Sequence, residues 1–416
     1  MISIPETALL QPQRHTLDNG NALFCLPTET TSMVRIDLLF EAGSCYQPMK
    51  LCATMANQLF YQASKRRKAI EVSEFMDYRG IIIERSTDVY QSGISIYSLK
   101  KHLPDLVSLL HELLTEPAFN EEDYNVAKNR LRQELQAAAQ RSSSVARRLF
   151  YNALYGEDHP LGRYATADDV DRLELESIKR YYFERYRLPE MAIVMSGGCD
   201  SSDISLMNKY FGNAKVDELN EPMSYTDPEL VNSGHFSQKI EWAVQSSLRI
   251  GRILPIRWDS MEYARFMLLT TALGGYFGSR LMSNIREDKG YTYGIYARTQ
   301  LYRNSIVFYI ITDVSGNDAD AAEREIFHEI RRLQQEPMDD EELDTVRNIM
   351  AGDFVRSVDG IFERATRFCD MYGAHIDDKL TDNMRLALAT TTPDDIMHLA
   401  QKYLLPDQMC ICRAGF

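Results

Sequence analysis

The sequence predicts an α+β fold of two homologous domains, each a mainly antiparallel sheet backed by helices. The first observation is length, because 416 residues exceed what one hydrophobic core usually supports and two domains of about 200 residues are expected. The second is a repeated order: each half shows a strand, a helix, a strand pair, long helices and a closing strand. The third is that strands precede most of the helices within each half, as expected when helices cover one sheet.

The first half begins with an apolar strand and a helix whose apolar residues Leu51, Met55 and Leu59 repeat every four positions. An alternating segment then predicts two strands around a turn. The predicted elements are a strand over 34–44, a helix over 48–64, a strand pair over 80–98, helices near 102–115, 121–150 and 172–187, and a strand over 191–198.

The second half repeats this order. Its predicted elements are a strand over 246–254, a helix over 259–273, a strand pair over 291–313, helices near 318–335, 339–356 and 392–404, and a strand over 408–415. A segment rich in Pro, Asp, Asn and Ser separates the halves and reads as a linker. We therefore expect an N-terminal domain over 1–215, a linker over 216–232 and a C-terminal domain over 233–416.

Composition narrows the functional class. The hydrophobic share of 44% and charged share of 25% are those of a globular protein, and no apolar run approaches the ~20 residues that span a bilayer. The N-terminal residues show no signal-peptide pattern, and seven scattered cysteines suit free thiols, so a cytoplasmic location is expected. The formal net charge of −14 argues against a nucleic-acid binder.

Three segments carry a resemblance to a known family. They are GGYFGSRLMSNIREDKGYTYGIY at 274–296, DHPLGRYATADDVDRL at 158–173 and YYFERYRLPEMAIVMSGG at 181–198. With these segments, the chain resembles the pitrilysin-type metallopeptidases nearly end to end. It is most similar to half-length members related to the mitochondrial processing peptidase and to bacterial two-chain zinc peptidases.

Active members of that family carry an inverted zinc motif, His-x-x-Glu-His, on the first helix of the N-terminal domain. Two imidazoles on one helical face bind Zn²⁺, and the Glu polarises its water. The resemblance places Ala53 and Asn57 at the two ligand positions and Ala56 at the general-base position. An alanine offers no donor atom and asparagine is a poor zinc ligand, so the motif is degenerate.

A later glutamate normally completes the zinc ligands, and Glu134 occupies that position here. One carboxylate cannot hold catalytic zinc, so Glu134 is interpreted as a polar residue on an amphipathic helix. None of the eight histidines pairs with another at ligand spacing. We therefore expect this chain to bind no metal and no cofactor, and zinc to belong to a partner subunit.

The segment at 274–296 retains another part of the family's site. In active members the C-terminal-type domain contributes an Arg and a Tyr, seven positions apart, that bind the substrate backbone and stabilise the tetrahedral intermediate. The resemblance places these roles on Arg286 and Tyr293, acting in trans. From the residues alone, Arg286 at a helix end and Tyr293 on a sheet face would be ordinary surface features.

Two further features have less specific interpretations. Gly274, Gly275 and Gly278 follow a predicted helix rather than a strand, which disfavours a nucleotide loop and favours a turn with positive φ. Family enzymes bind substrate as an added strand at a sheet edge, and residues 34–43 and 245–251 are candidate edges.

The leading hypothesis is a non-catalytic subunit of a heterodimeric zinc metallopeptidase, inactive alone. Its partner would be a homologous chain with an intact His-x-x-Glu-His motif, and its substrates would be unfolded or short peptides. The alternative is a catalytically inert structural or peptide-binding homodimer. A third reading, an active peptidase with rearranged ligands, would require stoichiometric zinc in the purified chain.

Overall fold

A computed structural model describes residues 11–213 and 233–416. The predicted linker at 216–232 and the first ten residues lie outside this range. In the N-terminal half the strands are β1 Gln13–Thr16, β2 Ala22–Pro27, β3 Met33–Phe40, β4 Ile82–Thr87, β5 Ser92–Leu99 and β6 Ala192–Gly197. The helices are α1 Cys52–Leu59, α2 Ala69–Arg79, α3 Leu103–Thr115, α4 Glu121–Ala139, α5 Ser142–Tyr155, α6 Ala167–Asp171, α7 Leu175–Arg185 and α8 Ser201–Phe211.

The C-terminal half follows the same plan. Its strands are β7 Gly234–Lys239, β8 Gln245–Leu254, β9 Thr292–Leu301, β10 Ile306–Ser315 and β11 Cys410–Gly415. Its helices are α9 Met261–Gly274, α10 Ala319–Gln335, α11 Asp340–Ser357, α12 Ile361–Ala374, α13 Lys379–Thr390 and α14 Pro393–Tyr403.

The strand orders confirm the predicted duplication. The first sheet runs β1-β2-β6-β3-β5-β4 and the second β7-β11-β8-β10-β9. Leaving out β1, the two orders match strand for strand. The closing strand of each half pairs in parallel with one early strand, β6 with β2 and β11 with β7. The remaining pairs are antiparallel. The fold is thus two copies of one α+β unit, as the sequence predicts.

The same topology corrects the two candidate edges. Residues 34–43 lie largely in β3, which pairs with β5 on one side and β6 on the other. Residues 245–251 lie in β8, which is flanked by β10 and β11. Both segments are interior because each is paired on both sides, so neither can accept an added strand. Among the strands of residues 11–213 and 233–416, the outermost are β1, β4, β7 and β9.

Each sheet packs one face on helices of its own half. In the N-terminal half, the inward residues of β3 and β5 form a core with α1, α3 and α7 that includes Ile36, Leu38 and Phe60, each fully buried. In the C-terminal half, β8 and β10 pack on α9, α10 and α14 around Phe266 and Phe308, also fully buried. At about 1.5–3 kcal/mol for each large side chain, this burial stabilises each unit.

The second face of each sheet is covered by a helix from the other half. Helix α12 lies on the N-terminal sheet, where Phe368 contacts Phe24 with ring centroids 4.8 Å apart. Helix α5 lies on the C-terminal sheet, where Phe150 and Leu154 pack with Cys410 and Cys412. The halves therefore exchange helices, and each completes the other's packing.

An ion-pair cluster joins the halves next to these helices. Arg303, in the β9–β10 turn, binds both carboxylate oxygens of Glu41 at 2.6 and 2.9 Å and donates to the Gly373 carbonyl at the end of α12. The Tyr46 hydroxyl donates to the same carboxylate at 2.7 Å. His375 lies 3.6 Å from Glu41. The turn of one hairpin is thereby fixed to the first half.

Several element bounds differ from the predicted ones. The predicted helix over 48–64 begins only at Cys52, because Leu51 adopts a left-handed conformation with φ of 74°, and it ends at Leu59. The predicted helix over 121–150 is two helices, since Arg141 is extended ahead of a run of three serines. In the described part of the chain, no helix is long and apolar enough to cross a bilayer.

Candidate functional site

The degenerate zinc-motif residues lie on α1, facing the core. Ala53 and Ala56 are fully buried and Asn57 is 2% exposed. Helix α1 packs against α7, α4 and the hairpin strand β4, so this face of the helix is filled by neighbouring side chains. An imidazole at either position would have to be accommodated within the packed core.

Asn57, which the resemblance places at a zinc-ligand position, has a structural role in this chain. Its side-chain nitrogen donates to the Ser86 carbonyl at 2.8 Å, the Thr87 hydroxyl at 3.1 Å and the Gly93 carbonyl at 3.2 Å. These partners belong to both strands of the β4–β5 hairpin, so the amide ties α1 to the sheet. Its Oδ1 is buried and has no hydrogen-bond partner within the described residues.

Glu134 lies at the surface of α4. Its side chain is 56% exposed and pairs with Arg130, one turn earlier, at 2.9 Å. Exposed pairs of this kind contribute about 0.3–0.5 kcal/mol. The carboxylate is therefore a solvated residue on α4.

The residues present at this position do not fit a zinc ion. Catalytic zinc requires three protein ligands of N, O or S type. The two alanines supply no donor, the Asn57 nitrogen is engaged with backbone carbonyls, and Glu134 is paired at the surface. Across residues 11–213 and 233–416, no group of three or more His, Cys, Asp and Glu side chains has an arrangement suited to a metal.

Arg286 is carried by a π-helical turn, Met282–Asp288, that follows α9. The wide turn is closed by the Lys289 amide donating to the Asn284 carbonyl at 3.0 Å. Asn284 is anchored in turn by Glu329, which is 1% exposed and accepts from the Asn284 amide at 2.7 Å. Isolated π-turns are rare and occur frequently at functional sites.

The Arg286 guanidinium lies over the ring of Phe277, 4.5 Å from its centroid. Among the described residues it has no ion-pair or hydrogen-bond partner, although Glu287 and Asp288 follow it in sequence. The aromatic contact restricts the side chain while leaving all its N–H donors free. Phe277, itself 60% exposed, is the member of this site that the sequence interpretation missed.

Tyr293 lies on β9, the outermost strand of the second sheet. The β9–β10 pairing shifts between Thr312 and Val314, which leaves a bulge at Tyr293 and Gly294. The Thr292 and Thr312 hydroxyls both donate to the Gly294 carbonyl and hold the bulge in place. Bulges redirect a side chain, and Tyr293 is 91% exposed as a result.

Arg286 and Tyr293 come from elements that contact each other. The π-helical turn packs against β9, and the Met282 sulfur accepts a hydrogen bond from the Ile295 amide at 3.4 Å. Arg286 and Tyr293 are thus carried by adjacent elements at the β9 side of the second sheet, and neither has a hydrogen-bond or ion-pair partner among the described residues. A guanidinium and a phenol in this arrangement can donate to carbonyl oxygens of an extended chain.

The glycines beside this site have a different role from the predicted one. Gly274, Gly275 and Gly278 do not have positive φ. A Cβ on Gly274 would lie 2.5 Å from the Ala297 amide nitrogen of β9, and one on Gly275 would lie 2.5 Å from Thr271. Gly274 therefore allows the end of α9 to approach β9 closely, whereas Gly275 packs against the preceding turn of α9. In this segment it is Gly290 that has positive φ, at 69°.

Comparison with protein families matches both halves. A family model described as "Insulinase (Peptidase family M16)" matches residues 24–166, and one described as "Peptidase M16 inactive domain" matches residues 172–350. Together they cover most of the chain. The matched segments include the degenerate motif on α1 and the turn that carries Arg286.

Individual relatives are distant but similar in length. "Uncharacterized zinc protease YmxG" of Bacillus subtilis is 21% identical over 365 residues, 85% of this chain and 86% of that protein. "Non-peptidase homolog YmxG" of Helicobacter pylori is 24% identical over 254 residues, 59% of this chain and 57% of that protein. The crystal structure of a protease from Helicobacter pylori superposes with a TM-score of 0.88 at 20% identity, covering 98% of this chain and all of that one.

Proposed function

The chain belongs to the peptidase M16 family, and from this premise we propose that it is the non-catalytic subunit of a heterodimeric zinc metallopeptidase. The observation that carries the proposal is a contrast between two positions. Ala53 and Ala56 leave the zinc-motif helix without ligands, whereas Arg286 and Tyr293 present free donors at an open sheet edge. The chain lacks the catalytic half of a site and retains the substrate-binding half.

The chemistry assigned to the two retained residues is transition-state stabilisation in trans. The Arg286 guanidinium donates to a substrate carbonyl, and the Tyr293 phenol donates to the oxyanion that forms when water attacks the scissile bond. A single donor of this kind typically contributes about 2.7–4 kcal/mol to the transition state. A subunit without zinc can therefore decide the activity of the complex.

The partner is a homologous chain with an intact His-x-x-Glu-His motif. That chain would hold the zinc ion, which supplies the nucleophilic water. The substrate is an unfolded or short peptide in extended form, since β9 is an outermost strand and can offer backbone groups to it. This chain's part is to bind and orient the peptide.

The test is peptide cleavage by the reconstituted pair. We expect Arg286→Ala and Tyr293→Phe each to lower kcat/KM about 10²–10³-fold, because each removes one donor to the developing charge. Matched controls are Arg331→Ala, an exposed arginine on α10, and Tyr78→Phe, which is 89% exposed on α2. Unchanged cleavage in both site variants would overturn the proposal.

The relative named "Non-peptidase homolog" favours the second candidate, an inert structural or peptide-binding homodimer. Purification from the native source separates the two. A zinc-containing homologous chain that co-elutes in one-to-one ratio supports the heterodimer. Recovery of the chain only with itself, with no cleavage on addition of any zinc-motif homologue from the same source, supports the homodimer.

A further inference from the structure

Three arginines without acidic partners lie together on the outer face of the second sheet. They are Arg298 on β9, Arg249 on β8 and Arg147 on α5. Within the described ranges none of them forms an ion pair with a carboxylate. Each instead lies near a tyrosine ring: Arg298 near Tyr296 at 5.5 Å, Arg249 near Tyr309 at 5.7 Å and Arg147 near Tyr151 at 5.8 Å. We name these six residues the arginine–tyrosine face.

Strand pairing places the β-strand members of this face side by side. Arg298 is directly opposite Tyr309, and Ile311 lies between Tyr296 on one strand and Arg249 on the other. Residues directly opposite each other in a sheet share a face and lie about 4.5–5.5 Å apart. Arg249 and Arg298 therefore lie on the two strands that flank β10, and they are offset from each other by two residues along it.

Helix α5 forms a wall beside this part of the sheet. Phe150 contacts Tyr309 with ring centroids 6.3 Å apart, and the Tyr151 hydroxyl accepts from the Tyr302 hydroxyl at 3.1 Å. Burial lowers the pKa of Arg249; Tyr151 opposes this effect, and the positive charge of Arg147 adds to it. The helix side of the arginine–tyrosine face thus carries positive charge, and on its other side lies β9, the outermost described strand.

The charge of this face is opposite to that of the whole protein. The chain has 60 acidic and 46 basic residues. Asp313 is the acidic residue on the same strand face, two positions from Ile311, and it forms no ion pair among the described residues. Three unpaired guanidinium groups near one carboxylate leave a local excess of positive charge, which attracts anions.

We propose that the arginine–tyrosine face binds acidic side chains of an extended peptide. The proposal rests on the proposed function and adds the chemical class of the peptide. Tyr293 and Arg298 are five positions apart on β9, roughly 15 Å along a strand. In a peptide bound at Arg286 and Tyr293, the residue about four positions from the bound residue therefore lies over the arginine–tyrosine face.

Acidic side chains fit this face better than other anions. The arginines are spread over two strands and a helix, so several carboxylates can be bound at once, whereas a chain terminus offers a single carboxylate. The tyrosine rings supply apolar contact for the methylene groups of glutamate. A nucleic acid is disfavoured because the net charge of −14 repels a long polyanion.

The test measures peptide binding to the purified full chain without a partner. The probes are a short peptide with three glutamates, the same peptide with glutamines, and both with amidated C-termini, each carrying a neutral dye. We expect the glutamate peptide to bind about tenfold more tightly at low salt, with the preference decreasing as salt rises. Amidation should leave the preference unchanged.

Variants locate the binding. Arg298→Gln and Arg147→Gln should each weaken binding of the glutamate peptide about threefold, and together about tenfold. Arg331→Gln, on a different surface, should have no effect. Both face residues are exposed, so the variants should retain the wild-type melting temperature.

Three results would contradict the proposal: equal binding of the two peptides, wild-type binding by the double variant, or loss of the preference on amidation, which would assign the site to a terminal carboxylate. The outcome is independent of cleavage. Arg286→Ala and Tyr293→Phe can fail to affect the reconstituted enzyme while acidic peptides still bind, and the reverse result is equally distinguishable.

Discussion

At the residue scale, helix α1 is a packing element. Asn57 provides the clearest case, because its amide nitrogen joins α1 to both strands of a hairpin. A histidine there would exchange these backbone contacts for a ring. The neighbouring Ala53 and Ala56 are fully buried, so this face of the helix packs in the core.

Restoring the motif should damage the fold without restoring a metal site. We expect the triple variant Ala53→His, Ala56→Glu, Asn57→His to lower the free energy of unfolding by more than about 3 kcal/mol, since overpacking costs about 1–3 kcal/mol at each site. Zinc should stay well below one equivalent, because Glu134 points to solvent. Urea unfolding and metal analysis are the measurements.

A single substitution on the same helix serves as the control for this experiment. Gln58 is half-buried, so Gln58→His adds one imidazole to α1 without filling the core. The expectation would be contradicted by a triple variant that bound one zinc per chain with unaltered stability. That result would mean that α1 keeps the geometry of a zinc site and lacks only the ligand side chains.

Glu41 should make stability depend on pH. Burial alone would raise its pKa, but His375, Arg303 and the Tyr46 hydroxyl together lower it from its ordinary value of 4.5 to about 2. The ionised group therefore stabilises the fold above about pH 4.5, and this contribution is lost as pH falls towards 2. Its side chain is 36% exposed, so after solvent screening we expect about 1–2 kcal/mol.

Comparing the free energies of unfolding of the wild type and Glu41→Gln isolates the contribution of this carboxylate. Unfolding by urea should show the variant about 1–2 kcal/mol less stable at pH 7, with the difference shrinking between pH 4.5 and 2. Other carboxylates titrate in both proteins and cancel. A difference that stayed constant over this range would mean that the ion pair with Arg303 contributes nothing that depends on ionisation.

Residue-level features were predictable only where a motif marks them. Arg286, Tyr293 and the degenerate positions follow from matching segments, and their roles stay predictions until the experiments above are done. Phe277 could not be identified, because its contact with Arg286 depends on a π-helical turn that local sequence does not reveal. The arginine–tyrosine face was also invisible, since its members lie on three separate elements.

At the element scale, periodicity identified the strongly apolar strands and the long helices. It missed the weaker ones. Strands β1 and β2 are short and lie around a Gly20 turn, and α2 buries little beyond Val72 and Met76. Strand β7 is largely exposed and pairs only with β11 in the described sheet, so its sequence carries no alternating pattern.

The two exchanged helices explain another group of differences. The predicted helix over 121–150 combined α4, which belongs to its own half, with α5, which crosses to the other sheet. Helix α12 was not predicted at all, because its buried partners on the N-terminal sheet are distant in sequence. Such contacts are set by tertiary structure, and a local pattern cannot indicate them.

At the scale of the whole molecule, the two halves are joined by an exchange of helices, since α5 and α12 each pack on the sheet of the other half. Each sheet has one apolar face that is covered by a helix of the other half. Phe24 and Val194 lie on this face of the first sheet. The strand orders were predictable in outline from the repeated pattern of elements. The dependence of each half on the other was not.

The two halves should accordingly fail to fold alone. We expect residues 1–215 and 233–416, expressed separately, to aggregate or to lack cooperative unfolding, because α5, α12 and the sheet faces they cover become exposed. Expressed together, they should form a soluble one-to-one complex. Size-exclusion chromatography and thermal unfolding followed by circular dichroism test this.

The co-expressed pair is the matched control, since it contains the same segments without the covalent connection. A monomeric half with a sharp unfolding transition of its own would contradict the expected dependence. In that case the helix exchange would be a minor contribution added to domains that are already stable.

The bulge on β9 also bears on self-association. An outermost strand presents unpaired amides and carbonyls, and two copies of such a strand can join and begin an aggregate. At Tyr293 the ladder is interrupted, and the exposed guanidinium of Arg298 adds a charge that a second copy would have to approach. The features that we assign to substrate binding thus also keep this edge soluble, so variants that remove them should be examined for self-association as well as for lost activity.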